Sequence, residues 1–220
     1  MKRAGAKYAR KISLLCACAV FFLTDCAPAT PSPTPQVISV YTTAAAQPWL
    51  TEVYACAEAQ AVIIRLSASP PEAQISLRLG EARNLTSPAY QIGSEDLLVA
   101  VHAESALQNL TAEDVRALFS RPEGQSANIW VFASGEDVQQ TFTDGVMLGM
   151  PVTSLARVAS NPQEMSNKIN ADKNAVGILP RHWKAGKVRE VFSLPGVPVL
   201  AVTPLKPQGA LKEILACLQK

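Results

Sequence analysis

From residue 37 onward, short apolar runs rich in β-branched residues alternate with amphipathic segments, and this alternation limits the fold more than any other feature. The runs 37–41, 61–66, 74–79, 96–102, 128–132, 175–179, 188–194 and 197–202 have the length and composition of strands. In 74–79, Ile75, Leu77 and Leu79 alternate with Ser76 and Arg78, the period of a strand with one wetter face. The runs 61–66 and 96–102 are continuously apolar enough to predict burial on both faces. Between the strands, 47–59 carries Trp49, Leu50, Val53, Tyr54 and Ala57 at helical spacing. Thr111, answered three residues later by Asp114, forms a capping-box pattern. Ser134 opens a helix expected to reach about Leu148, with Val138, Phe142 and Val146 inward. Asn161 followed by Pro162 and Glu164 marks another helix start, ending near Asp172, and Gly209–Leu218 is the last helix. Strands and helices in this order predict an α/β protein on a mainly parallel sheet.

The first 26 residues follow a different logic. Lys2, Arg3, Lys7, Arg10 and Lys11 precede the mostly apolar run 12–23, and no acidic residue occurs before Asp25. This is the pattern of a secretory signal. As a helix the run would span about 18 Å, against a bilayer core of about 30 Å. Leu23-Thr24-Asp25-Cys26 resembles a bacterial lipobox, so Cys26 is the expected lipidation site. Ordinary signal cleavage is the alternative, because charged Asp25 stands where a small residue is usual. Residues 27–36 contain four prolines and read as an extended tether. The expected organisation is a signal over 1–26, a tether over 27–36, and a folded unit over 37–220, lipid-anchored on the extracytoplasmic side of a membrane.

The whole-chain charge of +2 comes from the signal, since fifteen basic and seventeen acidic residues follow Cys26. No basic cluster remains there, which argues against nucleic acid as a partner. Only Cys56 and Cys217 remain of the five cysteines, and in an oxidising compartment they either pair or stay as two buried thiols. His102 and His182 are the only histidines, and neither lies near a cysteine. No metal-ligand spacing, nucleotide-binding glycine motif or nucleophile elbow occurs, so no enzyme, metal or cofactor is expected.

Three segments in order carry a family resemblance. DLLVAVH (96–102) is followed by LTAEDVRALFS (110–120), ASGEDVQQTF (133–142) follows an Ile-Trp strand, and NAVGILP (174–180) comes last. The chain resembles, over about 37–218, the phosphate-binding-protein branch of the type II periplasmic binding proteins, extracellular receptors of ABC importers. The resemblance implies a two-lobed fold with mixed, mainly parallel sheets, lobe one over 37–101 plus 188–220 and lobe two over 102–187, hinged near His102 and Lys187. It places Cys56 and Cys217 in the same lobe, where pairing is geometrically allowed. It implies a small oxyanion such as phosphate as the solute, an ABC permease as partner, and a monomer. The implied ligand contacts are Thr42, Thr43 and Ala44 after the first strand, and Ser134, Gly135 and Glu136 at the later turn, through hydroxyls and helix-terminal N–H groups. Glu136 and Asp137 depart from the family pattern and set two carboxylates at an anion site, and the arginine usual before that turn is absent. Arg78 and Arg83 are either the cleft's basic residues or solvated surface. The alternative function is a ligand-free relative acting as a cell-surface sensor or adaptor.

Overall fold

The computed structural model describes residues 35–120 and 127–220. The expected signal, Cys26 and the tether up to residue 34 lie outside the described residues. In chain order the elements are β1 (Gln36–Thr42), α1 (Leu50–Ala59), β2 (Val62–Leu66), β3 (Ile75–Leu79), β4 (Ala89–His102), α2 (Ala112–Ser120), β5 (Asn128–Val131), α3 (Asp137–Gly145), β6 (Arg157–Val158), α4 (Pro162–Ala171), β7 (Ala175–Pro180), β8 (Val188–Val202) and α5 (Gly209–Leu218). Gln36, expected to end the tether, already pairs with Val62 as part of β1.

The eight strands form one mixed sheet in the order β2-β1-β3-β8-β4-β7-β5-β6. Four of the seven pairings are parallel, in keeping with the expected α/β class. They lie at the two ends of the sheet, where helical crossovers return the chain in the same direction. The three antiparallel pairings surround β8 and β4 in the middle. The first half of β4 pairs with β8 alone, whereas from Leu97 onward β4 also carries β7 on its other side. Residues 97–102 are accordingly all buried.

The runs 188–194 and 197–202 are one strand, because Pro195-Gly196 is skipped as a bulge between the Leu97–Leu194 and Glu95–Val197 pairs. Gly196 takes φ +70° there, a conformation that suits glycine. β2 is an edge strand rather than a buried one; Ile63 is 50% and Leu66 55% exposed, since only β1 adjoins it. A 3₁₀ turn, Gln47–Trp49, precedes α1, and the inward residues are Leu50, Val53, Cys56 and Ala57. Tyr54, expected inward, is 45% exposed.

Cys56 on α1 and Cys217 on α5 form a disulfide. The caps at Thr111 and Asn161 are formed: Asp114 N–H donates to Thr111 Oγ1 (3.2 Å), Thr111 N–H donates to Asp114 Oδ2 (2.9 Å), and Glu164 N–H donates to Asn161 Oδ1 (2.8 Å). These side chains satisfy helix-terminal N–H groups that have no partner within the helix.

Candidate functional site

The site is built where the turn after β1 meets the start of α3. The Thr43 N–H donates to the Leu77 carbonyl (3.1 Å), fixing the turn against β3. The Thr43 hydroxyl accepts the Ala46 N–H (3.3 Å) and donates to Asp137 Oδ2 (2.6 Å). The Leu79 N–H donates to the same oxygen (2.7 Å), and Asp137 Oδ1 accepts the Val138 N–H (2.8 Å). Asp137 is only 4% exposed. Three donors from three segments therefore converge on one buried carboxylate, the arrangement that compensates burial of a charge.

The helix expected to open at Ser134 opens at Asp137. The Glu136 N–H donates to the Ala133 carbonyl (2.9 Å), so residues 133–136 first close a turn. Glu136 is the N-cap, in extended conformation, with no side-chain capping bond. The helix ends at Gly145 rather than near Leu148. Leu148 and Gly149 take positive φ, and the Gly149 N–H returns to the Thr143 carbonyl (2.9 Å), which folds the chain back.

Asp137, Gln140, Thr141 and Asp144 recur on one face of α3. That face meets residues 78–83. Arg78 donates from Nε to the Gly80 carbonyl (3.0 Å) and from Nη2 to Gln140 Oε1 (3.2 Å). Gln140 Nε2 donates in turn to the Gly135 carbonyl (3.1 Å). A Cβ at Gly80 would fall 2.3 Å from Thr141 Oγ1, and Gly80 has φ +67°, so glycine is required for this approach. Arg83 and Asp144 form an exposed ion pair at the end of the seam.

A groove of about 520 Å³ lies beside this seam, lined by Tyr41, Thr43, Arg78, Glu136 and Gln140 among others. Of the six residues implicated by the sequence, Thr43, Gly135 and Glu136 line it. Ser134 lines a second groove of about 730 Å³ with Arg83, Phe132 and Val152. Thr42 and Ala44 line neither; the Thr42 hydroxyl donates to the Thr43 carbonyl (2.9 Å). A side chain at Gly135 would meet no protein atom within 4 Å. Burial, and secondarily the charge of Asp137, holds the Glu136 carboxyl above the ordinary carboxylate range.

Asp137 as the acceptor joining the two turns, and Gln140 as its neighbour on the seam, were not assigned from the sequence. The signal available was the polar spacing 137, 140, 141, 144 on a helix whose other face carries Val138 and Phe142.

No family model matches the sequence, and no curated protein matches it. The fold is similar to a substrate-binding protein from Clostridium perfringens with bound phosphate (13% identity, TM-score 0.69, covering 83% of this chain and 93% of that one). It is also similar to an ABC-type phosphate transport receptor from Vibrio cholerae (15% identity, TM-score 0.63, 83% and 93%). The effector domain of the transcriptional regulator AmpR of Pseudomonas aeruginosa shares it as well (14% identity, TM-score 0.55, 84% and 94%). At these identities the likeness shows the fold, a periplasmic-binding-protein-like α/β architecture, and leaves the chemistry to the residues of the groove.

Proposed function

We propose that this chain is an extracytoplasmic solute-binding protein, lipid-anchored through Cys26, that presents a small molecule to an ABC permease. The observation that carries the reading is the groove of about 520 Å³ formed where Thr43, Arg78 and the 133–136 turn meet, a size suited to a small solute. Lobe one and lobe two then move about the crossover of β4 and β8. The resemblance sets that hinge near His102 and Lys187, at the end of the β4–β8 ladder. Closure around the solute is the state that a permease would read.

The solute expected from the resemblance is a small oxyanion, and two of the similar structures are described with phosphate. Asp137 narrows that class. It has taken the Thr43 hydroxyl and the Leu79 N–H, and with Glu136 it sets two carboxylates against an incoming dianion. The same commitment of donors favours one second reading, a binding-fold relative that acts without a solute as a sensor or adaptor.

Thermal-shift measurements separate the two. A receptor melts higher with one member of a panel of phosphate, sulfate, molybdate, amino acids and small organic acids, by mass action. Silence across that panel, with a retained protein partner, supports the adaptor. For the anchor, Cys26→Ser is expected to release the protein from membranes, and unchanged attachment removes that element of the proposal.

A further inference from the structure

Arg78 and Glu136 both line the groove, with opposite charges, and form no ion pair with each other. Arg78 donates only to neutral acceptors, the Gly80 carbonyl and the Gln140 amide oxygen. A guanidinium has five N–H donors in a fixed fork, so most of its capacity is uncommitted. Glu136 forms no ion pair with a described cation. Gln140 bonds both to Arg78 and to the Gly135 carbonyl, and so fixes the guanidinium relative to the turn carrying Glu136. Apolar walls adjoin the two charges: Tyr41, Pro70, Pro71, Leu85 and Pro204. Among the groove residues Arg78 carries one positive charge, and Glu136 and Asp137 carry one negative charge each. That balance disfavours a free dianion and favours a solute bringing its own positive charge.

Resting on the solute-binding reading above, we infer that the groove takes a small zwitterion, with its ammonium on Glu136, its carboxylate or phosphonate on Arg78, and its apolar spacer against the proline walls. Each end of such a solute meets a charge that the fold leaves without a counter-ion, and each contact is a charge-assisted hydrogen bond. A ligand with only one charged end leaves the other side chain uncompensated when the groove loses water.

The test is calorimetric titration of the full exported protein with γ-aminobutyrate and 3-aminopropylphosphonate. Butyrate and propylphosphonate serve as matched anions, butylamine as the matched amine, and inorganic phosphate as the free oxyanion. A zwitterion is expected to bind about tenfold or more tightly than its single-charge analogues, the difference that one charge-assisted contact supplies. Glu136→Gln is expected to weaken the zwitterion by about that factor while leaving the matched anion unchanged or tighter. Arg78→Lys keeps the charge without the fork and is expected to weaken the zwitterion and the anion together, leaving the amine unaffected. Binding of an anion or phosphate as tightly as the zwitterion, with Glu136→Gln indifferent, overturns the inference and leaves the solute-binding reading standing. Silence of every probe at millimolar concentration also overturns it. The broader reading falls with it only if the thermal-shift panel is silent as well.

Discussion

Between β4 and β8 the two ends of the sheet are joined by a backbone ladder that runs from Ala89–Val202 to His102–Val188. Between α3 and residues 78–83 they are joined by side chains instead: Asp137 to Thr43 and Leu79, Gln140 to Arg78, and Asp144 to Arg83. The ladder cannot part without stranding N–H and C=O groups away from water. The seam can exchange its bonds for water, at about 1.5–3 kcal/mol for each bond to a charged group. The bulge in the ladder is itself pinned. Buried Glu95 pairs with His182, while Asp96 accepts from Arg181 Nε (3.1 Å) and from the Gly196 N–H (3.1 Å). The difference teaches that the two joints are held by different means: a pinned backbone ladder and a seam of polar side chains.

The comparison breaks if the two regions respond alike to mutation. Leu98 is fully buried in the ladder, and Leu98→Ala is expected to cost about 2–5 kcal/mol, because transfer and cavity terms add. A lowered urea midpoint at unchanged slope would show this. Asp137→Ala is expected to cost less, about 1–3 kcal/mol, because three donors lose their acceptor while little volume is removed. Hydrogen exchange should quicken at Leu79 and Val138 and stay unchanged along β4. Added sulfate should restore part of the loss in this variant and none in the wild type, since the freed donors at a helix start suit an anion. If Asp137→Ala melts with the wild type, the seam holds nothing together.

The ladder was more legible in the sequence than the seam. Periodicity and capping residues located every helix, and every strand but β6 and the Ala89–Glu95 half of β4, because Thr111, Asp114 and Asn161 act locally and the apolar runs must find a core. The edge position of β2 was hidden, since Ile63 and Leu66 are as apolar as core residues and only the pairing order exposes them. Pro195-Gly196 looked like a strand end because a bulge uses the same residues as a turn. Thr43, Gly135 and Glu136, which the resemblance implied as ligand contacts, line one groove. Ser134 is not the helix start because the 133–136 turn delays the helix, a contest between two hydrogen-bonding patterns that local sequence leaves open. The role of Asp137 depends on Thr43 and Leu79, which lie far from it along the chain, and no local pattern reports such a meeting.

The smallest expected effect sharpens the comparison through pH. Burial and the charge of Asp137 raise the Glu136 carboxyl in the folded protein, so the folded state holds that proton more tightly than the unfolded chain does. Ionising Glu136 therefore costs stability, and the cost sets in as pH rises above the ordinary carboxylate range. Glu136→Gln should melt with the wild type in acid and above it at neutral pH. Asp114 has the opposite sign: the Thr111 hydroxyl, and next the Thr111 N–H, hold it below the usual range. Its contribution is present at neutral pH and disappears as pH falls through its lowered value, so Asp114→Asn should lose stability at neutral pH and none in strong acid. Melting curves of the two variants across pH should thus diverge from the wild type in opposite directions. A Glu136→Gln curve that tracks the wild type at every pH would mean that this carboxyl is solvated in the open groove and that burial there does not oppose its ionisation.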